Sequence, residues 1–345
     1  MAIKILGSRS FGEDRPDDPI TVPDPDRIEL SYLRPPLNEI KSDAVGKNTI
    51  RRVIGLQIGD EEKGPRVRLW CYPPATPEEI AKGPSLGGAH SHVCDNFRIV
   101  MRGQMQVGHD RYEPGDFRLQ RAGRPYGGDG GVPHPDGHWA VLCFADRRGY
   151  RGRSVNPERR ALFENDEVIR RESEVSGINM LPADHPGVNG LVTTLTDPWS
   201  KGHNLDGKVG DADGWPQIGN GARVCVNLMG DHEVGPVVFL QRTEPGQMAT
   251  PAGTFGSDVF RCVMSGSCHG DGVVLAAGEV RAYAAGERWP SATAGDDGLT
   301  ELIIIGDRRG LDLAVEGKDN GWGEQARRIV DELSTVLPRL DALTA

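Results

Sequence analysis

Arg52–Trp70 reads RVIGLQIGDEEKGPRVRLW, and 171 residues on Arg223–Gln241 reads RVCVNLMGDHEVGPVVFLQ, so that Gly59, Asp60, Gly64 and Pro65 are answered by Gly230, Asp231, Gly235 and Pro236. Self-similarity at a fixed spacing marks a repeated structural unit. Each copy sets two apolar runs about a Gly-Asp to Gly-Pro turn, which is the pattern of paired strands. Working outward, FRIVMRG (Phe97–Gly103) recurs 163 residues later as FRCVMSG (Phe260–Gly266). Gly115-Asp116 and Ala122-Gly123 recur at that same offset as Gly278-Glu279 and Ala285-Gly286, and ADRRG (Ala145–Gly149) is answered by GDRRG (Gly306–Gly310). The drop in offset from 171 to 163 places eight extra residues in the first copy, in the polar stretch CYPPATPEEIAKGPSLGG.

Within each copy, short Val-, Ile- and Leu-rich runs alternate with Gly, Pro and Asp clusters, as in antiparallel strands of a barrel or sandwich. Composition agrees: 46 Gly and 25 Pro in 345 residues make a turn-rich chain with 37% hydrophobic and 26% charged residues. The spacing predicts an all-β protein of two barrels in tandem, with an N-terminal arm over 1–49, a first barrel over 50–150, a helix and Gly-rich connection over 151–220, a second barrel over 221–311 and a C-terminal helix over 312–345. The inter-barrel helix is NPERRALFENDEVIRRES, opened by Asn156 as N-cap and Pro157 in the first turn. It is followed by the Gly- and Asp-rich run Pro182–Gly221. The closing helix, GEQARRIVDELSTVL, sets Ala326, Ile329, Val330, Leu333 and Leu337 on one face. That face predicts packing against a barrel and offers an apolar surface to a second copy.

The formal charge of −10 with no basic block argues against a nucleic-acid or anionic-membrane partner. Six cysteines without a CxxC spacing read as reduced packing residues. No stretch approaches the ~18 apolar residues of a membrane helix, and MAIKILGSRSFGED has no apolar run of signal-peptide length. The expectation is a soluble, cytoplasmic protein acting on a small molecule.

The first copy carries GGAHSHVCDNFRIVMRG ahead of its shared strand. On a strand, His90 and His92 project from one face and can meet one ion, with Cys94, Asn96 and Arg98 following on that face. An arginine facing a barrel interior needs a partner, and a substrate carboxylate suits its fork. Its repeat counterpart Arg261 speaks equally for a structural ion pair. The second copy places Gly253, Phe255, Val259 and Trp289 where the first has His90, His92, Asn96 and Tyr126. Chemistry therefore belongs to the first copy, and the aromatic pair in the second fills a core.

These residues resemble the cupin superfamily. His90, His92 and Gly103 fall on the histidines and closing glycine of its first motif, and Pro114-Gly115-Asp116 with Gly123 echo its second. The resemblance spans both repeats and implies two double-stranded β-helix barrels, a bicupin. Asn96 stands at the family's Glu position and Tyr126 at its second-motif His. The carboxylate is also absent from the bicupins that cleave gentisate and salicylate rings, where three histidines hold Fe(II), and the spacing His92, Arg98, Gly103 is similar to theirs. The resemblance thus implies Fe(II), or another divalent metal, on His90 and His92 with a third ligand. Tyr126 as a phenolate, His134 and His138 are the candidates, and His138, heading a strand that returns through the barrel, is preferred. Arg98 and Asn96 would bind substrate and Tyr126 would supply a proton or hydrogen bond. The activity implied is a dioxygenase on a small carboxylated aromatic, in a homodimer or homotetramer. A metal-dependent lyase, hydrolase or isomerase, and a non-catalytic binding bicupin, are the alternatives.

Overall fold

The computed structural model describes residues 38–40, 52–72, 74–83, 90–92, 94–120, 126, 129–149, 153–154, 192–193, 204–231 and 233–335. The helix expected from Asn156 lies outside these residues, as do most of the N-terminal arm, Leu337 and the side chain of Cys71.

The first half runs β1 (Asn38–Ile40), β2 (Arg52–Gln57), β3 (Arg66–Tyr72), α1 (Pro77–Lys82), β4 (His90–Ser91), β5 (Asn96–Arg102), β6 (Gln104–Val107), β7 (Asp110–Tyr112), β8 (Asp116–Gln120), β9 (Asp129–Val132), β10 (His138–Phe144) and β11 (Arg153–Ser154). The connection adds β12 (Val192–Thr193) and β13 (Asn204–Lys208). The second half runs β14 (Gln217–Ile218), β15 (Ala222–Leu228), β16 (Val237–Thr243), β17 (Met248–Thr250), β18 (Gly253–Phe255), β19 (Val259–Gly270), β20 (Val273–Ala276), β21 (Val280–Tyr283), β22 (Arg288–Trp289), β23 (Ala292–Ile305), β24 (Leu313–Val315) and α2 (Trp322–Ser334).

Both halves are wound alike. A large antiparallel sheet, β1-β2-β3-β10-β5-β8-β13 in the first and β12-β15-β16-β23-β19-β20 in the second, faces small sheets, and together they form a double-stranded β-helix barrel. The connection is more than a loop, since β12 pairs with β15 of the second barrel and β13 with β8 of the first. The eight extra residues of the first copy surround α1, whose Thr76 and Glu79 form a reciprocal capping box.

Strand alternation sorts the side chains. On β3 Val67 and Leu69, on β5 Phe97 and Ile99, and on β10 Trp139, Val141 and Cys143 point out of the first barrel, into a core shared with Val238, Leu240, Phe260, Cys262, Leu302 and Ile304 of the second. The barrels therefore pack back to back through apolar faces, and only the opposite faces are free to build a site. Inside the first barrel lie Trp70, Val100, Ala140, Leu142 and Phe144.

The repeated motifs hold this junction together. Asp95 accepts a hydrogen bond from the Gly230 amide and Asp258 accepts one from the Gly59 amide, each at 3.0 Å, so the clasp is reciprocal about a pseudo-twofold axis. Arg147 donates to the carbonyls of Ile58 at 2.7 Å and Gly64 at 3.0 Å, and Arg308 donates likewise to Met229 at 2.6 Å and Gly235 at 3.0 Å. A Cβ at Gly64 or Gly235 would meet the arginine's Nη2 at 2.5 or 2.7 Å. The GD…GP turn and the DRRG segment are thus lock and key within each half.

The C-terminal helix forms as expected, and its face is already occupied. Trp322, Ala326, Ile329 and Val330 are buried among Phe239, Phe255, Trp289 and Ile303 of the second barrel. The apolar surface anticipated for a second copy is spent inside the chain. Cys94, Cys143, Cys225, Cys262 and Cys268 are free and buried, and no helix among the described residues is long and apolar enough to cross a membrane.

Candidate active site in the first barrel

His90 and Tyr126 form an antiparallel bridge, amide to carbonyl in both directions at 3.1 and 3.0 Å. The corresponding pair in the second barrel, Gly253 and Trp289, is also matched. The repeat register therefore extends into the site, and what changes is only the side chains. β4 sends His90 and His92 to the same side, their rings edge to face with centroids 5.1 Å apart. Both converge on one atom: the Tyr126 hydroxyl lies 2.8 Å from Nε2 of His90 and 3.1 Å from Nε2 of His92. His92 is buried against Phe144, with ring centroids 4.9 Å apart, while His90 and Tyr126 are half-buried and face the opening.

Arg98, fully buried, completes the group. It donates to Tyr126 Oη at 3.2 Å, to Gln120 Oε1 at 3.5 Å and to Asn96 Oδ1, with its guanidinium 4.8 Å from the Tyr126 ring centre. Asn96, expected to bind substrate, is 1% exposed and serves to orient Arg98. Neighbouring Asp95 is engaged in the inter-barrel clasp.

His138 does not join this group. It stands at the first residue of β10, six residues from Phe144 at the other end, and at ~3.3 Å per residue that separates the two by about 20 Å. His134 lies at the same far end, where a surface cleft is lined by Arg102, Glu113, His134 and Asp136. Burial drives the His138 pKa from its ordinary 6.5 down to about 3, so this imidazole is neutral. Its position at the head of the strand, which made it attractive in the sequence, is what removes it: a strand that returns through a barrel begins at the end opposite to the one where it finishes. Among the described residues no three His, Cys, Asp or Glu side chains converge as a metal site.

The remaining donor set is two imidazole nitrogens and a phenol oxygen. Two ligands ~2.1 Å from one ion and at right angles to each other lie ~3.0 Å apart, and the observed 2.8 and 3.1 Å bracket that value. The residues fit a divalent ion on His90, His92 and Tyr126.

The second barrel shows the same frame without a site. Arg261 donates to Glu301 at 2.6 Å with both side chains buried, and Trp322 of α2 donates to Gln241 at 2.6 Å inside the barrel. By strand register Glu301 corresponds to Ala140, because Arg98 pairs with Leu142 as Arg261 pairs with Ile303. Sequence reading missed Arg66 and Arg68, which are 2% and 8% exposed and share the inward face of β3 with Trp70. The signal was present: RVRLW alternates Arg, Arg and Trp on one face where the second copy's VVFLQ has Val237, Phe239 and Gln241.

No family model matches the chain, and no curated protein matches it. Among solved structures it is similar to hazelnut (Corylus avellana) vicilin, at 12% identity over 81% of this chain and 85% of that one, TM-score 0.40. It is also similar to a deletion mutant of Bacillus subtilis oxalate decarboxylase, at 14% identity over 79% and 77%, TM-score 0.37, and to a cupin 2 conserved barrel domain protein from Leptotrichia buccalis, at 10% over 74% and 88%, TM-score 0.40. The fold assignment itself rests on the strand order and register described above.

Proposed function

We propose that the first barrel is a metal-dependent active site for a small carboxylated substrate, and that ring-opening dioxygenation of a carboxylated aromatic is its reaction. The observation that carries this reading is the convergence of His90 and His92 on the Tyr126 hydroxyl, with the Arg98 guanidinium beside it. His90, His92 and Tyr126 would hold the ion, which, when bound, would supply Lewis acidity toward substrate oxygens and, as Fe(II), the capacity to reduce O₂. Arg98 would grip the substrate carboxylate through two parallel hydrogen bonds, and Asn96 and Gln120 hold its fork in place for that contact. Leu142, Phe144 and Val100 would wall the ring and exclude water. The dioxygenase reading draws on the resemblance of the His92, Arg98 and Gly103 spacing to that of the gentisate- and salicylate-cleaving bicupins.

A non-catalytic binding role is the second reading. A phenol oxygen has one proton to donate and lone pairs to accept, so Tyr126 donating to one imidazole and accepting from the other and from Arg98 closes the network without an ion. Oxygen uptake by the iron-loaded protein with gentisate, salicylate and substituted relatives separates the readings. Substrate-dependent O₂ loss supports the dioxygenase. Bound metal without O₂ loss points to a lyase, hydrolase or isomerase, and absence of bound metal points to the binding protein.

A further inference from the structure

The first barrel gathers more positive charge than one carboxylate requires. Arg66 and Arg68 on β3 alternate with Val67 and Leu69, which face the other barrel, so both guanidinium stems point inward beside Trp70. Register fixes their neighbours: Arg66 pairs with Phe144 and Arg68 with Leu142 on β10, and Leu142 pairs on its other side with Arg98 of β5. Arg68 and Arg98 therefore flank Leu142 on adjacent strands, their backbones about 10 Å apart at ~4.8 Å per strand. Arg66 lies one inward position along β3, level with the Phe144 ring on which His92 packs.

The second barrel, with the same frame, has Val237 in place of Arg66 and Phe239 in place of Arg68, and its single inward arginine of this set is matched by Glu301. Arg118, the cross-strand neighbour of Arg98, is matched in turn by Asp206 at 2.7 Å and Asp110 at 2.8 Å. The extra arginines are thus confined to the barrel that carries the histidine pair. Burying a guanidinium is costly unless anionic charge meets it.

We propose that the ligand of this site is a dicarboxylate, with one carboxylate held by Arg98 beside Tyr126 and the other by Arg66 and Arg68 across the barrel. This rests on the reading of the first barrel as a substrate site and narrows its substrate class. A compact phosphate ester presents the same double charge at one point, and the spacing across Leu142 favours two separate acidic groups over it.

Titration calorimetry of the full chain as purified, with phthalate, benzoate and inorganic phosphate as probes and metal content measured on the same sample, tests the assignment. Phthalate should bind at least about tenfold more tightly than benzoate. Arg68→Gln should abolish that preference while leaving benzoate affinity and metal content unchanged, and Arg68→Lys should restore part of it. Since Arg68→Gln is a buried change, its thermal transition is recorded alongside. If that variant fails to fold, the wild-type ratio and Arg68→Lys decide. Equal affinity for phthalate and benzoate in wild type overturns the proposal, as does phosphate binding more tightly than phthalate. Phthalate preference in a protein without metal would keep the dicarboxylate site and remove the metal reading. Metal without phthalate preference would do the reverse.

Discussion

At Tyr126 a single oxygen sits within hydrogen-bond reach of two imidazoles and a guanidinium. If that oxygen is a ligand, Tyr126→Phe should release most of the bound metal, whereas His138→Ala, about 20 Å away along β10, should leave metal content unchanged. Elemental analysis of the two variants decides, and the opposite pattern would return His138 to the site. His138 has a separate signature. Its unfolded imidazole protonates near 6.5 and its buried form only near 3, so between those pH values the unfolded state binds the extra proton and stability falls as pH is lowered. At pH 5 this single group should contribute a loss of about 2 kcal/mol relative to neutral pH. Urea unfolding of wild type and His138→Gln at pH 5 and pH 7 should show the difference, and identical pH slopes would contradict it.

The histidine pair, Tyr126 and Arg98 were legible in the sequence because period 2 and the repeat register carry them directly to one face. Their third partner was not. Whether His138 or Tyr126 meets the pair depends on which end of β10 lies at the mouth, and alternation reports the face of a strand but never its height in a barrel. Arg66 and Arg68 were legible in principle, and the contrast with Val237 and Phe239 shows the information was in the alignment of the two copies.

At the scale of elements, the junction between barrels is built from turns and buried pairs whose failure should be graded. Gly59 has φ +69, and a Cβ there would meet the Gly306 carbonyl oxygen at 2.2 Å, while Gly246, at φ +68, has open space around it. Both lose the glycine's freedom on becoming Ala, at ~1 kcal/mol or more, but only Gly59→Ala must also push backbone apart. Its thermal midpoint should therefore fall well below that of Gly246→Ala, and equal midpoints would show that the junction yields. Within the second barrel, Glu301→Ala strands a buried guanidinium and should cost about 3–5 kcal/mol, most of which Arg261→Met in the same chain should recover. Chemical denaturation of the single and double variants measures it. The repeats announced these elements, since GD…GP and DRRG recur, but a sequence does not say that two motifs eighty residues apart lock into one another.

Over the whole molecule, one frame is used twice with opposite contents. The second barrel closes on itself, with Trp322 and α2 occupying its interior and Glu301 neutralising Arg261, while the first keeps histidines, a phenol and inward arginines around an opening. Two barrels thus imply one site per chain. The direct measurement is the metal-to-protein ratio of the chain purified without added metal, for wild type and for His90→Ala. The account predicts one ion per chain in wild type and none in His90→Ala, with the fold of both intact by circular dichroism. A wild type devoid of metal, or a His90→Ala variant that keeps its ion, would contradict it.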